Sequence, residues 1–369
     1  MIESRISFCT VITDRIEHLK QTLHRNLAAT ENEKNVEFLI LDYNSGDNVA
    51  MYVKDHFSHY IESGRLVFYR TEHAPYFDRC HSRNMIFKLA SGDIICNLDV
   101  DNYVVKGLVD FIRKTFEESP QSFLTYIHPS LHTIPDVMGR IVMRRVDFIK
   151  IRGYDESMQG YGFEDHDVAN RLEGNGLTRT IMPTEFAQAI THSQYERIRN
   201  EYLLRGLHSL YFFHQNPAQT TILLLLMDNH YQLEDIIDNK LYKKYPKPGL
   251  ISQNDNGTKY SLLPSSRSTG IWKRDKETIC FQNKFGIEVT PLDVKNDILF
   301  TEDGSRTSVF QKISNNVLIV NTVMLYSQLF NKSKMATNST STSLEINKYG
   351  FGKGIVFRNF ENVISIEIK

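Results

Sequence analysis

Cysteine is scarce in this chain of 369 residues: four occur, Cys9, Cys80, Cys96 and Cys280, scattered and never in CxxC spacing. That excludes a disulfide framework and a zinc ribbon. Charge of one sign is also lacking. Lys and Arg total 43 against 44 for Asp and Glu, a formal net charge of -1, so nucleic-acid binding through bulk positive charge is excluded. Long apolar runs are missing too. The longest, Ile222 to Met227, is far short of the ~20 residues that span a bilayer. The N-terminus opens into a strand-like segment without the basic and apolar regions of a signal peptide. The expected location is therefore the cytoplasm. Gly and Pro are not in excess, and 41% of the residues are hydrophobic, which excludes collagen-like, coiled-coil and disordered classes. What is present is a soluble globular chain whose length points to two domains.

Up to about residue 200, short apolar runs alternate with amphipathic segments. Ile6 to Ile12 and Val36 to Leu41 read as buried strands, with a helix from Ile16 to Leu27 between them. Asn84 to Ala90 reads as helical and Ile94 to Leu98 as a strand running into Asp99. Alternation of this kind predicts an α/β fold with a mostly parallel sheet flanked by helices, whose ligands sit at the carboxyl ends of the strands. From Ser193 to about Tyr245 the pattern reads as helical, and Lys243 to Gly257 carries the strongest linker signals. Beyond it, runs such as Thr278 to Phe281, Asn316 to Val323 and Val363 to Ile368 read as strands, and Ala336 to Ser343 as an exposed loop. The division expected is a catalytic α/β domain over residues 1–215, a helical segment and linker over 216–250, and a smaller β-rich domain over 251–369.

Four constellations bear chemistry. Asp99-Val100-Asp101 ends an apolar strand, and alternation along that strand turns both carboxylates to one side, a pairing suited to Mn²⁺ or Mg²⁺. Taken alone, such a triplet is more often a pair of solvated loop carboxylates. In Gly160-Tyr161-Gly162-Phe163-Glu164-Asp165-His166-Asp167, acidic residues suit a helix N-terminus. Three carboxylates behind an aromatic-bearing loop exceed that need, and one of them suits a general base. His192 follows a strand-like run from Phe186 and is a metal ligand only if the fold brings it to Asp101. Arg79 and Arg83 suit fork-like contact with phosphate or carboxylate, or an exposed helix start. Gly350, Gly352 and Gly354 are wrongly spaced for a dinucleotide fingerprint, and no Walker A loop, GxSxG elbow or HExxH is present.

Taken in order, these stretches resemble nucleotide-sugar glycosyltransferases of the GT-A fold, most closely the β-1,4-galactosyltransferase group. Arg15-x-Glu17-His18-Leu19 is similar to that group's RxEHL, Phe77-x-Arg79 with Asn84 to its FNR…N, and Asp99-Val100-Asp101 to its DVD. Gly153-Tyr154 through Gly160–Asp167 to Arg171-Leu172 is similar to its GF…GWGGEDDD…RL run, and His192-Ser193 to its metal-binding His-Ser. The likeness covers roughly residues 5–200. It implies Mn²⁺ (or Mg²⁺) on Asp101 and His192, with Asp99 beside them facing the ribose. It further implies a UDP-sugar held by Val11, Thr13, Arg15, Phe77, Arg79 and Arg83. Asp165 would be the base acting on an acceptor hydroxyl and Glu164 would hold the sugar, with Tyr161, Gly162 and Phe163, or Tyr154, near the sugar ring. One base opposite the leaving group implies inversion.

Some positions depart from the group: Tyr161 replaces a tryptophan, Ala189 stands where a methionine ligand is found, and Asp136 lies near the residue that shapes sugar choice. The turn from Asp42 to Asp47 resembles family-2 glycosyltransferases, in which a first-turn Asp binds uracil, so Asp42 joins the nucleotide-binding set. The implied reaction moves a hexose (galactose, N-acetylgalactosamine or glucose) from a UDP-sugar to a glycan or lipid-linked acceptor, as in bacterial polysaccharide or lipopolysaccharide synthesis. Peripheral contact with a membrane and homo-oligomerisation are compatible with it. The alternatives are a non-catalytic sugar- or nucleotide-binding protein on the same fold, or a nucleotidyltransferase. The latter needs a Gly-rich basic loop after the first strand, which Thr13-Asp14-Arg15 is not.

Overall fold

The computed structural model describes residues 4–72, 74–128, 136–242, 259–303, 306–340 and 345–366. The chain divides into two compact units, one of residues 1–200 with 334–369 and the other of residues 201–333.

In the first unit, β1 (Ile6–Ile12), β2 (Val36–Tyr43) and β3 (Leu66–Thr71) are rich in β-branched and aromatic residues and pair in parallel. Both faces are buried, as parallel strands require. Phe8, Phe38 and Phe68 face one core, and Cys9, Leu39 and Val67 the other. The crossovers are α1 (Ile16–Ala29) and α2 (Val49–Glu62). After α3 (Arg79–Leu89), β4 (Ile94–Asn97) joins β1 in parallel on its free side. There follow α4 (Leu108–Glu118), β5 (Ser122–Thr125), β6 (Ile141–Arg144), α5 (Arg145–Lys150), α6 (Glu164–Gly174), β7 (Thr178–Ile181) and α7 (Gln194–Ile198). The sheet flanked by helices is the one the sequence predicts, with β1–β4 paired in parallel; β6 runs antiparallel to both β4 and β5.

The second unit departs from expectation at its start. Beyond the short α8 (Tyr202–Arg205), the stretch read as helical forms β8 (Leu207–Asn216), β9 (Gln219–Leu226) and β10 (His230–Asp238), with the single turn α9 (Asn239–Tyr242) after them. Residues 221–226 are buried throughout. With both faces of β9 covered, the alternation that marks a strand vanishes into one apolar run. The sequence continues with β11 (Tyr260–Asp275), β12 (Thr278–Asn283), β13 (Glu288–Lys295), β14 (Ile298–Asp303) and β15 (Arg306–Lys312), and these eight strands, β8–β15, close into an antiparallel barrel. The β-rich domain is thus a barrel filled by Tyr211, Leu223, Tyr231, Trp272, Phe281, Leu299 and Phe310.

A second correction concerns residues 316–323, expected as a strand. They begin α10 (Asn316–Thr340), a helix of 25 residues. Its buried residues Val323, Tyr326, Ser327 and Phe330 follow helical spacing, which the mainly β-branched start Val-Leu-Ile-Val conceals. Ala336–Thr340, read as loop, are its last turn. The linker candidate Lys243 to Gly257 and residues 341–343 lie outside the described residues.

The third correction is to the domain division. Residues 334–369 belong with the first unit, where β16 (Gly354–Arg358) pairs antiparallel with β3, and β17 (Asn362–Ile366) with β16. The full sheet order is β17-β16-β3-β2-β1-β4-β6-β5-β7. Among the described residues no helix is long and apolar enough to cross a membrane.

Candidate active site

The carboxyl ends of β2, β1 and β4 lie side by side in that order, and the candidate residues gather just beyond them. β4 ends at Asn97, so Asp99 to Asn102 form a turn, closed by the Asn102 N–H donating to the Asp99 carbonyl at 2.8 Å. Strand alternation therefore does not hold through Asp101, and the two carboxylates have different partners. Asp99 accepts from Asn97 Nδ2 at 3.0 Å and Arg83 at 3.1 Å. Asp101 accepts from Arg15 at 3.1 Å and from Asn102 Nδ2 at 2.8 Å, and its Oδ2 lies 2.7 Å from His192 Nε2.

Backbone pairing brings His192 there. The Ile190 N–H donates to the Asp101 carbonyl at 2.8 Å and the Tyr103 N–H to the Gln188 carbonyl at 3.0 Å, so the run before His192 lies along the turn. Ala189 bridges to Asn102. Ser193 then caps α7 in a reciprocal pair with Glu196.

α6 carries the acidic residues in its first turn, behind Gly162 (φ 101°) and Phe163 (φ 68°). Left-handed backbone at both positions turns the chain sharply into the helix. Arg83, 3% exposed, joins the helix to the turn: it donates to Asp165 at 2.8 Å and to Asp99 at 3.1 Å, and lies 3.5 Å from Glu164. Its guanidinium also lies over the Tyr154 ring. Tyr154 is wholly buried and donates its hydroxyl to Asp165 at 3.0 Å, which removes it from the residues able to stack on a sugar. Burial pushes the Asp165 carboxyl up to about 6, against the opposing pull of Arg83 and with help from Glu164 and Asp99. Burial also acts on Asp99, but the Arg83 and Arg79 guanidiniums outweigh it and hold that carboxyl below its ordinary value. Two neighbouring acids are thus driven apart in acidity.

Arg79 is layered between the rings of Phe77, 5.2 Å away, and Tyr161, 5.1 Å away, and its Nε lies 3.4 Å from Glu164. Tyr161 accepts from Arg197 at 3.1 Å, and Arg197 also pairs with Asp136. At the end of β1, with Val11 half-buried, Thr13 donates to the Tyr43 carbonyl at 3.0 Å and accepts at its own carbonyl from Asn200 at 2.7 Å. Asp42 is fully buried, binding Arg70 at 2.8 Å and the Ser45 N–H at 2.8 Å.

Two sets of direct contacts result: Asp99, Glu164 and Asp165 with Arg79 and Arg83, and Asp101 with Arg15 and His192. The turn from Asp99 to Asn102 carries one acid of each set, while Asp42 is engaged in the turn after β2. Sequence reasoning missed Asn97, Asn102, Arg197 and the polar role of Tyr154. Their signals are burial and partner choice, which a single sequence does not carry. Gly139 was missed as well: a Cβ there would stand 2.6 Å from Asp99 Oδ2 and 2.8 Å from Arg83 Nη2.

Among the described residues, no group of three or more His, Cys, Asp or Glu side chains is arranged to hold a metal ion. The adjacent Asp101 and His192 are two donors of suitable chemistry. They fit a hard cation such as Mg²⁺ or Mn²⁺ that takes its other ligands from water and phosphate.

Two family models match this region. Family-2 glycosyl transferases match residues 7–149, and the domain described as the N-terminal domain of galactosyltransferase matches residues 121–197. These matches relate residues 7–197 to both groups of glycosyltransferases. A comparison with curated proteins found no match. Among solved structures, TarS 1–349 of S. aureus in complex with UDP-GlcNAc is 15% identical over 54% of this chain and 61% of its own, with a TM-score of 0.42. The mannosyltransferase PcManGT of Pyrobaculum calidifontis, in complex with GDP-Man and Mn²⁺, is 14% identical over 50% and 56%, with a TM-score of 0.42. The catalytic domain of Drosophila β1,4-galactosyltransferase 7, in complex with xylobiose, is 20% identical over 54% and 74%, with a TM-score of 0.37. This chain thus covers less than two thirds of the TarS and PcManGT chains.

Proposed function

We propose that the chain is an inverting hexosyltransferase that uses a UDP-sugar and a hydroxyl of a glycan or lipid-linked acceptor. The observation that carries this reading is Arg83, which ties Asp165 to Asp99 within 3.1 Å and so joins the acidic helix to the turn that resembles a donor-binding DVD. Asp165 is the base. Its carboxylate takes the proton of the acceptor hydroxyl as that oxygen bonds to the anomeric carbon, and the bond from that carbon to the diphosphate oxygen breaks, releasing UDP. A base with an acidity near 6 is unprotonated at neutral pH and still accepts a proton well. Glu164, whose Oε2 is buried without a hydrogen-bond partner, is suited to receive a sugar hydroxyl.

Arg15 and Arg79 supply positive charge for the diphosphate. Tyr161 and Phe77 offer faces for the nucleotide and sugar. Asp101 and His192 would hold Mn²⁺ or Mg²⁺, and a cation so held supplies charge neutralisation for the departing diphosphate. Two protein donors and an adjacent arginine make the cation dependent on the nucleotide for its remaining ligands.

The test is thermal shift with UDP-galactose, UDP-N-acetylgalactosamine, UDP-glucose and GDP-mannose, each with Mn²⁺ and with chelator. A ligand that binds only the folded state raises the melting temperature. The expected result is a rise with a UDP-sugar that is larger in Mn²⁺. No rise with any of the UDP-sugars would refute the donor assignment. Asp165→Asn should keep that rise and lose turnover by ~100-fold or more, since removal of a base harms the chemical step rather than ground-state binding.

A further inference from the structure

The chain returns to the first unit only after residue 333, and the returning segment touches the loop from Arg152 to Glu156, which carries Tyr154. Asn347, at the left-handed φ of 49°, donates Nδ2 to the carbonyls of Arg152 at 2.7 Å and Tyr154 at 2.6 Å. Its Oδ1 accepts from the Glu156 N–H at 3.1 Å, and Arg152 donates to its carbonyl at 2.8 Å. From the other side Asn84, wholly buried, accepts from the Tyr154 N–H at 2.7 Å and donates to the Tyr154 carbonyl at 2.9 Å. The backbone of Tyr154 is therefore gripped by two asparagine side chains far apart in the sequence, while its hydroxyl donates to Asp165.

A parallel contact reaches α6 itself. Asn338, in the last turns of α10, donates Nδ2 to Asp167 Oδ1 at 2.9 Å and to Asp155 Oδ2 at 2.9 Å. Both carboxylates are buried, and Asp167 also binds Arg171 at 2.7 Å. One amide thus joins the helix that carries Asp165 to the loop that carries Tyr154.

We propose that Asn347 and Asn338 are positioning residues for the reaction: the returning segment holds Tyr154 and the first turn of α6 so that Asp165 faces the donor site. The inference rests on the function proposed above. Neither asparagine touches the reacting atoms, so each acts through another residue: Asn347 through Tyr154, and Asn338 through Asp167. A tyrosine held at both its backbone groups keeps its hydroxyl in one orientation toward the carboxylate, and small displacements of a base cost rate steeply.

The test uses the full chain with UDP-galactose, UDP-glucose and UDP-N-acetylgalactosamine in Mn²⁺, following hydrolysis to UDP, together with hydrogen exchange of the amides of residues 164–168. N347A should lower kcat by ~10-fold and leave the donor KM within ~2-fold, because the lost interaction serves the transition state. Y154F should do the same. The double variant should be no worse than ~2-fold below the poorer single one, since two residues acting through one contact are not additive. Multiplying losses, or a change in KM alone, would overturn the proposal.

N338A removes a half-buried side chain and tests the same idea where N347A does not fold. It should slow turnover by ~5-fold, the scale of a lost hydrogen bond, with donor KM unchanged. An unaltered kcat would overturn the role of Asn338. If the wild-type chain hydrolyses none of the three sugars, the transferase reading fails and exchange alone decides the positioning. Faster exchange at residues 164–168 in N347A, with β1–β3 amides unchanged, supports it; unchanged exchange overturns it.

Discussion

Arg83 binds carboxylates on both the turn after β4 and the first turn of α6, so the chemistry of either acid depends on the other. Asp165, raised by burial to about 6, should set the acidic limb of the rate profile. Acting as the proposed base, Asp165 must be ionised, so kcat/KM should rise with pH through about 6, and a limb near the ordinary carboxylate value would show that another group is titrating. The same burial makes the ionised carboxyl a cost to the fold. A raised acid contributes stability below its unfolded value of 3.8 and loses it as pH climbs toward about 6. Asp165→Asn should therefore flatten the dependence of melting temperature on pH across that window.

Gly139→Ala tests the neighbouring acid with one methyl group. Its Cβ would press on Asp99 and Arg83 at 2.6 and 2.8 Å, and kcat/KM should fall by ~10-fold or more through displaced geometry. Unchanged kinetics would show that the pair tolerates movement. At this scale residue type and order singled out Asp101 and His192, which the fold brings within 2.7 Å of each other, and Asp165, which it sets against Arg83. Sequence reasoning misplaced Tyr154, whose ring reads as a sugar platform until burial and the contact with Asp165 are seen.

Among the elements, β1, β2 and β4 were legible because they are short apolar runs bounded by turns. β8–β10 and α10 were misread for opposite reasons. β9 is buried on both faces and so shows no period of two, whereas α10 opens with β-branched residues that lower helix propensity and reveals its period only over its whole length. The loop from Arg152 to Glu156 has no regular structure at all, yet it is held as firmly as an element. Gly153 sits there at φ 69°, with space for a Cβ denied by Asn84 Oδ1 at 2.4 Å and the Phe351 ring at 2.8 Å. Gly153→Ala should destabilise the first unit by roughly 2 kcal/mol or more, from left-handed strain and the displaced asparagine. Urea unfolding should show a lower midpoint with an unchanged slope.

The two units of the whole molecule carry separate chemical signatures. In the barrel unit, Glu234 is pushed up to about 7 by burial, although Arg267 and the Tyr326 hydroxyl, 3.1 Å away, both favour its ionised form. The stability it contributes is complete below its unfolded value of 4.5 and declines as pH rises to about 7. Glu234→Gln should remove that decline. Trp272, the single tryptophan of the chain, lies in the barrel core, so its fluorescence follows the melting of this unit. A wild-type barrel that melts at the same temperature at pH 5 and pH 7.5 would contradict the assignment. At this scale the sequence disclosed two classes of structure but not their interleaving, because pairing of β16 with β3 joins residues nearly three hundred positions apart and leaves no local mark.

That interleaving fixes an order of manufacture. As the ribosome releases the chain, β3 emerges early with one edge bare, and its partner β16 follows only after every barrel strand has been synthesised. An uncovered strand edge invites pairing with other chains. The nascent protein thus carries an adhesive margin for most of its translation, and a message that stops after the barrel would yield a product prone to clump, with the grip on Tyr154 half assembled.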